Sequence, residues 1–200
     1  AASTADIVAV IQAVATAIDE ELEPEEIAEI AAGIEPTDGI FYPGIVQMNY
    51  MTGELIKSYG NAPKMIIAMF DMGGSINTVE FHSEYHGHED SPKELLEAID
   101  KLDVDFSPRQ IAHVATLSAL ANQKLVPKPH LEEIIKYSAT LGALGVNVAH
   151  SGTMVGVLFA PDESMKHVME AVEKIREKFP ELEYFETERL ISGGYDIEQR

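Results

Sequence analysis

Apolar residues fall at helical spacing between Ala5 and Glu20, at Ile7, Val10, Ile11, Val14 and Ile18, and predict a first helix. Ser3 or Thr4 is placed to cap it, and Asp6 suits the positive end of its dipole. Pro24 followed by Glu25 and Glu26 predicts a second helix, which Gly33 is placed to end. A turn is expected at Glu35-Pro36-Thr37-Asp38-Gly39, where Asp-Gly supplies a permissive backbone. Residues 40–49 and 54–59, on either side of Met51-Thr52-Gly53-Glu54, read as two strands of a hairpin.

Further along, the compact apolar run Lys64–Asp71 predicts a central strand, followed by a glycine-bearing loop from Met72 into another ordered segment. Three helical patterns follow at roughly 92–101, 108–122 and 130–142. Residues 145–161 read as strand, tight turn, strand. A charged amphipathic helix is expected over 162–179, and a last strand within 182–194. No internal repeat, low-complexity tract or long linker interrupts the chain. The pattern is that of an α+β protein with a helical front and a mixed-sheet back.

Composition narrows this picture. Two hundred residues with 46% apolar content suffice for a real core. The absence of cysteine excludes disulfides and thiolate-bound metals. No apolar run approaches the ~18–20 residues that span a bilayer, and no signal peptide is visible, so a cytoplasmic, membrane-free protein is expected. Fourteen basic against 34 acidic side chains give a net charge of −20, which repels nucleic-acid phosphates. A polyanionic ligand would need local positive charge from a metal ion, a helix N-terminus or a few lysines.

Four stretches carry candidate chemistry, each beside a plainer reading. Ser3 and Thr4 either cap a helix or offer hydroxyls at a phosphate-binding helix start. Glu35 and Asp38 either belong to an ordinary turn or divide two tasks, one carboxylate holding Mg²⁺ and the other orienting or deprotonating a hydroxyl. Ser151, Gly152, Thr153 and Gly156 either form a tight hairpin or let a ligand approach the backbone closely. His82, His86 and His88, interleaved with Glu84, Glu89 and Asp90, suggest a zinc or nickel site, but no single element aims all three one way. A solvated polar loop is the simpler expectation there. His113, His130 and His167 sit singly and read as surface or packing residues.

Taken in order, "ASTADI", "IEPTDGIFYPG", "DMGGSINTVEF" and "VAHSGTMVGVLF" resemble the GHMP kinase superfamily, and within it the L-threonine kinases of cobalamin synthesis and propanediol utilisation. The likeness runs from Ala1 to about Gly194. It implies a partial nucleotide-side domain over residues 1–60, then a C-terminal ferredoxin-like α/β plait over 61–200. It also implies an ATP- and Mg²⁺-dependent kinase acting on L-threonine or a similar hydroxylated amino acid. In that reading Ser3 and Thr4 lie at the end of a phosphate-binding motif, Ser3 and Glu35 serve the metal, and Asp38 lies near the acceptor hydroxyl. Ser151, Gly152 and Thr153 match a third motif beside the phosphates and substrate. Asp71, Gly73, Gly74, Asn77 and Thr78 match a segment expected to be structural or substrate-facing.

The sequence departs from the family's pattern in three places. Ala2 stands where a serine is usual, Asn77 where an aspartate is more common, and the family's N-terminal motif and phosphate-loop glycines are not among these residues. The expectation is therefore the C-terminal two-thirds of such a kinase, partnered by an N-terminal half or a second copy. Two other readings stand beside it: a ligand-binding or regulatory module without catalysis, and a subunit completing a split kinase.

Overall fold

The computed structural model describes residues 2–74, 91–124, 126–149 and 152–194, with side chains from Thr4 onward. The chain divides into two compact units, one formed by 1–62 together with the segment from Ile191, the other by Pro63–Leu190.

In the first unit, α1 (Ala2–Ala17) and α2 (Pro24–Ile34) precede a two-stranded antiparallel hairpin, β1 (Ile45–Met48) and β2 (Leu55–Gly60). Val8 and Ile11 of α1 share a core with Ile27, Ala28 and Ala31 of α2 and with Phe41 and Tyr42. The start of α2 is fixed by the Glu26 carboxylate, which accepts the Glu23 N–H at 2.9 Å. Its end differs from expectation. Gly33 lies inside the helix, which runs on to Ile34, and Glu35 closes it in an extended conformation with its N–H on the Ala31 carbonyl. The first strand is also shorter than the apolar pattern suggests. A turn closed by the Tyr42 N–H on the Gly39 carbonyl takes up its first residues, and Gly44 has positive φ. Tyr42 is buried and donates its hydroxyl to the Gly53 carbonyl at 3.0 Å, and burial raises its pKa. Gly53 has φ +75° and lies so close to α2 that a Cβ would sit 2.5 Å from the Ala28 carbonyl oxygen. The hairpin tip is thereby fastened to the second helix.

The second unit runs β3 (Ile66–Asp71), α3 (Lys93–Asp100), α4 (Pro108–Asn122), α5 (Leu131–Thr140), β4 (Gly145–Val148), β5 (Met154–Phe159), α6 (Met165–Lys178) and β6 (Glu183–Arg189). Its four strands lie in the order β4-β5-β3-β6, every neighbouring pair antiparallel. This is the ferredoxin-like arrangement, with a helical crossover before β4 and α6 between β5 and β6. The run ending at Asp71 is an inner strand, as its apolar content predicts. Ile66, Ala68 and Phe70 alternate into a core completed by Val155, Val157 and Phe159 of β5 and by Val168, Val172 and Ile175 of α6.

Helix starts here follow the sequence closely. The Ser107 and Ser164 hydroxyls accept the Gln110 and His167 N–H groups, each at 3.2 Å, and cap α4 and α6. Gly145 lets α4 approach β4, since a Cβ there would sit 2.4 Å from the Ala112 carbonyl oxygen. The Thr116 hydroxyl donates to that carbonyl at 2.8 Å and accepts the Val146 N–H at 2.9 Å. The edge strand β6 carries Glu183, Glu186, Glu188 and Arg189, charges that discourage pairing with another chain. No described helix is long and apolar enough to cross a membrane.

Candidate functional site

The first unit joins two motifs that lie far apart in sequence. Helix α1 already includes Ala2, so Ser3 and Thr4 fall inside its first turn and neither stands ahead of it as the cap. Thr4 is 2% exposed, and its hydroxyl oxygen accepts the Asp38 N–H at 3.3 Å across 34 positions of chain. The neighbouring Thr37 is also buried, and its own N–H donates to the Tyr50 carbonyl at 2.9 Å.

Two consecutive amides of the Glu35–Gly39 turn are therefore held from different sides, one by α1 and one by the hairpin. Pro36 removes a donor and restricts the backbone further. Gly39 does not have positive φ, and a Cβ there would meet the Met48 sulfur at 2.7 Å. On this frame the Asp38 side chain is exposed and Glu35 is half-buried. A solvent-reachable carboxylate on a pinned backbone can accept a proton from, or orient, a hydroxyl brought to it. Thr4 contributes from beneath, with its oxygen engaged by the turn.

The second unit holds the other predicted stretch. Asp71 ends β3 and pairs in register with Met154, so it lies beside Thr153. The Thr153 hydroxyl and the Gly73 N–H, the latter at 2.9 Å, both bond the Asp71 carboxylate and lower its pKa. The Met72 N–H adds a bond to the Thr153 carbonyl at 3.2 Å. The turn is closed across its base by the Ala149 N–H on the Met154 carbonyl, and a Cβ on Gly152 would come within 3.0 Å of that of Ala149. The sequence named Thr153 and Asp71 separately but not their pairing. Its only signal was an aspartate ending an inner apolar strand.

Ser151, Asn77, Thr78, His82, His86 and His88 lie outside the described residues, as does the Ser3 side chain. Among the described residues no three histidine or carboxylate side chains gather as a metal-holding cluster. Mg²⁺ needs no such cage, because it is commonly held by one or two carboxylates and the phosphates of a bound nucleotide. A single half-buried carboxylate such as Glu35 fits that mode.

The four-stranded antiparallel sheet and its crossover helices define the second unit as a ferredoxin-like domain. Residues 95–178 match the family described as GHMP kinases C terminal. The chain is 24% identical to an L-threonine kinase of Citrobacter freundii, with 99% of this chain and 70% of that protein covered. It is also 24% identical to an L-threonine kinase of Salmonella typhimurium, with 79% of this chain and 54% of that protein covered. Among solved structures, the L. major mevalonate kinase in complex with R-mevalonate superposes with a TM-score of 0.65 at 16% identity, over 96% of this chain and 65% of that one. The putative homoserine kinase of Listeria monocytogenes gives 0.59 at 16% identity, over 96% and 67%. The chain thus spans between about half and 70% of the length of these curated relatives.

Proposed function

We propose that this chain is the C-terminal part of a kinase that moves the γ-phosphoryl group of ATP to the hydroxyl of a small hydroxylated amino acid, L-threonine first among them. The observation that carries the reading is the bond from the Asp38 amide to Thr4, which unites the first turn of α1 with the Glu35–Gly39 turn. The homologous L-threonine kinases supply the acceptor class.

In this mechanism the acceptor oxygen bonds to the γ-phosphorus as the bond from phosphorus to the β,γ-bridging oxygen breaks. The hydroxyl proton passes to the Asp38 carboxylate. ADP and the O-phosphorylated amino acid are the products. Catalysis of this kind is chiefly positioning and charge neutralisation. Glu35, with Ser3, would hold Mg²⁺, which neutralises phosphate charge when bound. Thr4 would keep the Asp38 backbone in place. Gly152 and Thr153 are proposed as a second ligand-contacting turn, whose small residues leave the backbone open to approach.

Incubating the complete gene product with Mg-ATP and L-threonine, serine or homoserine tests the proposal, with the phosphoamino acid read by mass spectrometry. Phosphothreonine that depends on both ATP and Mg²⁺ is expected. No phosphorylation of any small alcohol, or calorimetric binding of threonine without nucleotide, would overturn the reading in favour of a binding module.

A further inference from the structure

Met48, the last residue of β1, lies against the turn that carries Asp38. A Cβ on Gly39 would stand 2.7 Å from the Met48 sulfur and 3.4 Å from a Val46 methyl, so the thioether occupies the space that a side chain at position 39 would need. Three consecutive residues of the turn are thereby held by three different neighbours. Thr37 donates its amide to the Tyr50 carbonyl, Asp38 donates its amide to the Thr4 hydroxyl, and Gly39 rests on the Met48 sulfur. Two of these supports are hydrogen bonds. The third is a packing contact made through an oxidisable atom. Met48 packs against the core of the first unit and is nevertheless only half-buried, so solvent reaches part of its side chain. Met51 and Met165 are more exposed, in the hairpin loop and at the start of α6, and Met65 is buried.

Oxidation changes the property on which this contact depends. With hydrogen peroxide as the oxidant, a sulfur lone pair forms the S–O bond as the peroxide O–O bond breaks, and the second peroxide oxygen leaves as water. The sulfur is oxidised and the peroxide reduced. The sulfoxide is polar, chiral and bulkier than the thioether. Lodged against Gly39, the sulfur has no room for an added oxygen on that side. An oxygen turned the other way meets the apolar core around Ile27 and Phe41, where a polar atom without a partner is costly. Both outcomes weaken the support under Gly39, the residue next to Asp38. We infer that Met48 is a redox-sensitive modification site: peroxide oxidation of its thioether loosens the Glu35–Gly39 turn, and reduction of the sulfoxide restores it. The loosening follows from packing alone, whereas its consequence for phosphoryl transfer rests on the proposed role of Asp38.

The test treats the complete gene product with hydrogen peroxide, maps sulfoxides by peptide mass spectrometry, and follows backbone amide exchange at Thr37 and Asp38. Conversion of Met48 is expected to speed exchange at both amides about tenfold. Methionine sulfoxide reductases acting on the two sulfoxide epimers should reverse the change. Met48→Leu keeps an apolar contact that peroxide cannot oxidise, so its exchange at Asp38 should not respond while Met51 and Met165 are still converted. Met48→Gln, polar and of similar length, should reproduce the faster exchange without peroxide. Unchanged exchange after full conversion of Met48 would overturn the inference. So would a Met48 that resists oxidation while Met51 and Met165 react, or an equal response in Met48→Leu. Phosphoryl transfer, measured on the same samples, should fall several-fold with Met48 oxidation and recover on reduction. Faster exchange with an unaltered transfer rate would support the modification site and overturn the role given to Asp38.

Discussion

The Thr4 hydroxyl and the Asp38 backbone amide are hydrogen-bonded at 3.3 Å, with Thr4 buried and the Asp38 side chain exposed. The Asp38 backbone is thus held by the protein while its carboxylate is exposed to solvent. Thr4→Val keeps the volume and removes the acceptor, at a cost of about 1 kcal/mol. The loosened turn should lower kcat several-fold and leave KM for ATP nearly unchanged. Thr4→Ser should restore both rate and stability. Steady-state kinetics and urea unfolding of the three proteins check this, and a large rise in the KM for ATP alone would instead make Thr4 a nucleotide contact.

Asp38→Asn removes the proton acceptor and keeps the side chain's shape. Because Asp38 is exposed, the substitution should leave the unfolding midpoint within experimental error. Phosphoryl transfer should fall by about 10²–10⁴-fold, the usual contribution of a positioned general base. Rate measurements on the complete gene product at saturating ATP read the effect. A full rate in Asp38→Asn would remove Asp38 from the chemistry.

Much of this arrangement was legible in the sequence because it is written in local patterns. Period-3.6 apolar spacing marked α4 and α6, and the uninterrupted apolar run marked β3 as an inner strand. What escaped was set by contacts between distant residues. The Asp38–Thr4 bond spans 34 positions, and the pairing of Asp71 with Thr153 needs the register between β3 and β5. Neither leaves a periodic trace. Gly33 was expected to end α2, but the helix runs one residue further, to Ile34, because a glycine costs only about 1 kcal/mol inside a helix whose face at Ile27, Ala28 and Ala31 is buried.

The Asp71 carboxylate accepts from Thr153 and Gly73 and so is held below its ordinary pKa of 3.8. A carboxylate whose pKa is depressed by folding adds stability above its unfolded pKa, and that stability disappears as pH falls through the folded value. Thr153→Val should raise the Asp71 pKa toward the ordinary value, seen directly in a carbon-13 titration of its carboxyl. The variant's loss of stability should be present at pH 7 and shrink as the solution is taken below about pH 4. A stability difference independent of pH would mean that Thr153 acts through packing alone.

Lys128 supplies the last prediction. It sits between α4 and α5 at 4% exposure, and its Nζ is buried with no hydrogen-bond partner among the described residues. Its backbone is well held, with its N–H on the Gln123 side-chain oxygen at 2.6 Å and its carbonyl accepting from the Gln123 amide at 3.0 Å. Burial pushes the pKa of the amine below the usual 10.5. The folded protein thus binds this proton less readily than the unfolded chain does. The resulting penalty is absent above about pH 10.5 and grows as pH falls toward the folded value. Lys128→Met keeps the aliphatic stem and removes the amine, so it should stabilise the fold by at least ~1 kcal/mol at pH 7. The gain should dwindle as pH approaches the unfolded lysine value. Urea unfolding of both proteins at pH 7 and pH 10 measures it. A variant less stable at pH 7 would show that the ammonium group is satisfied in solution.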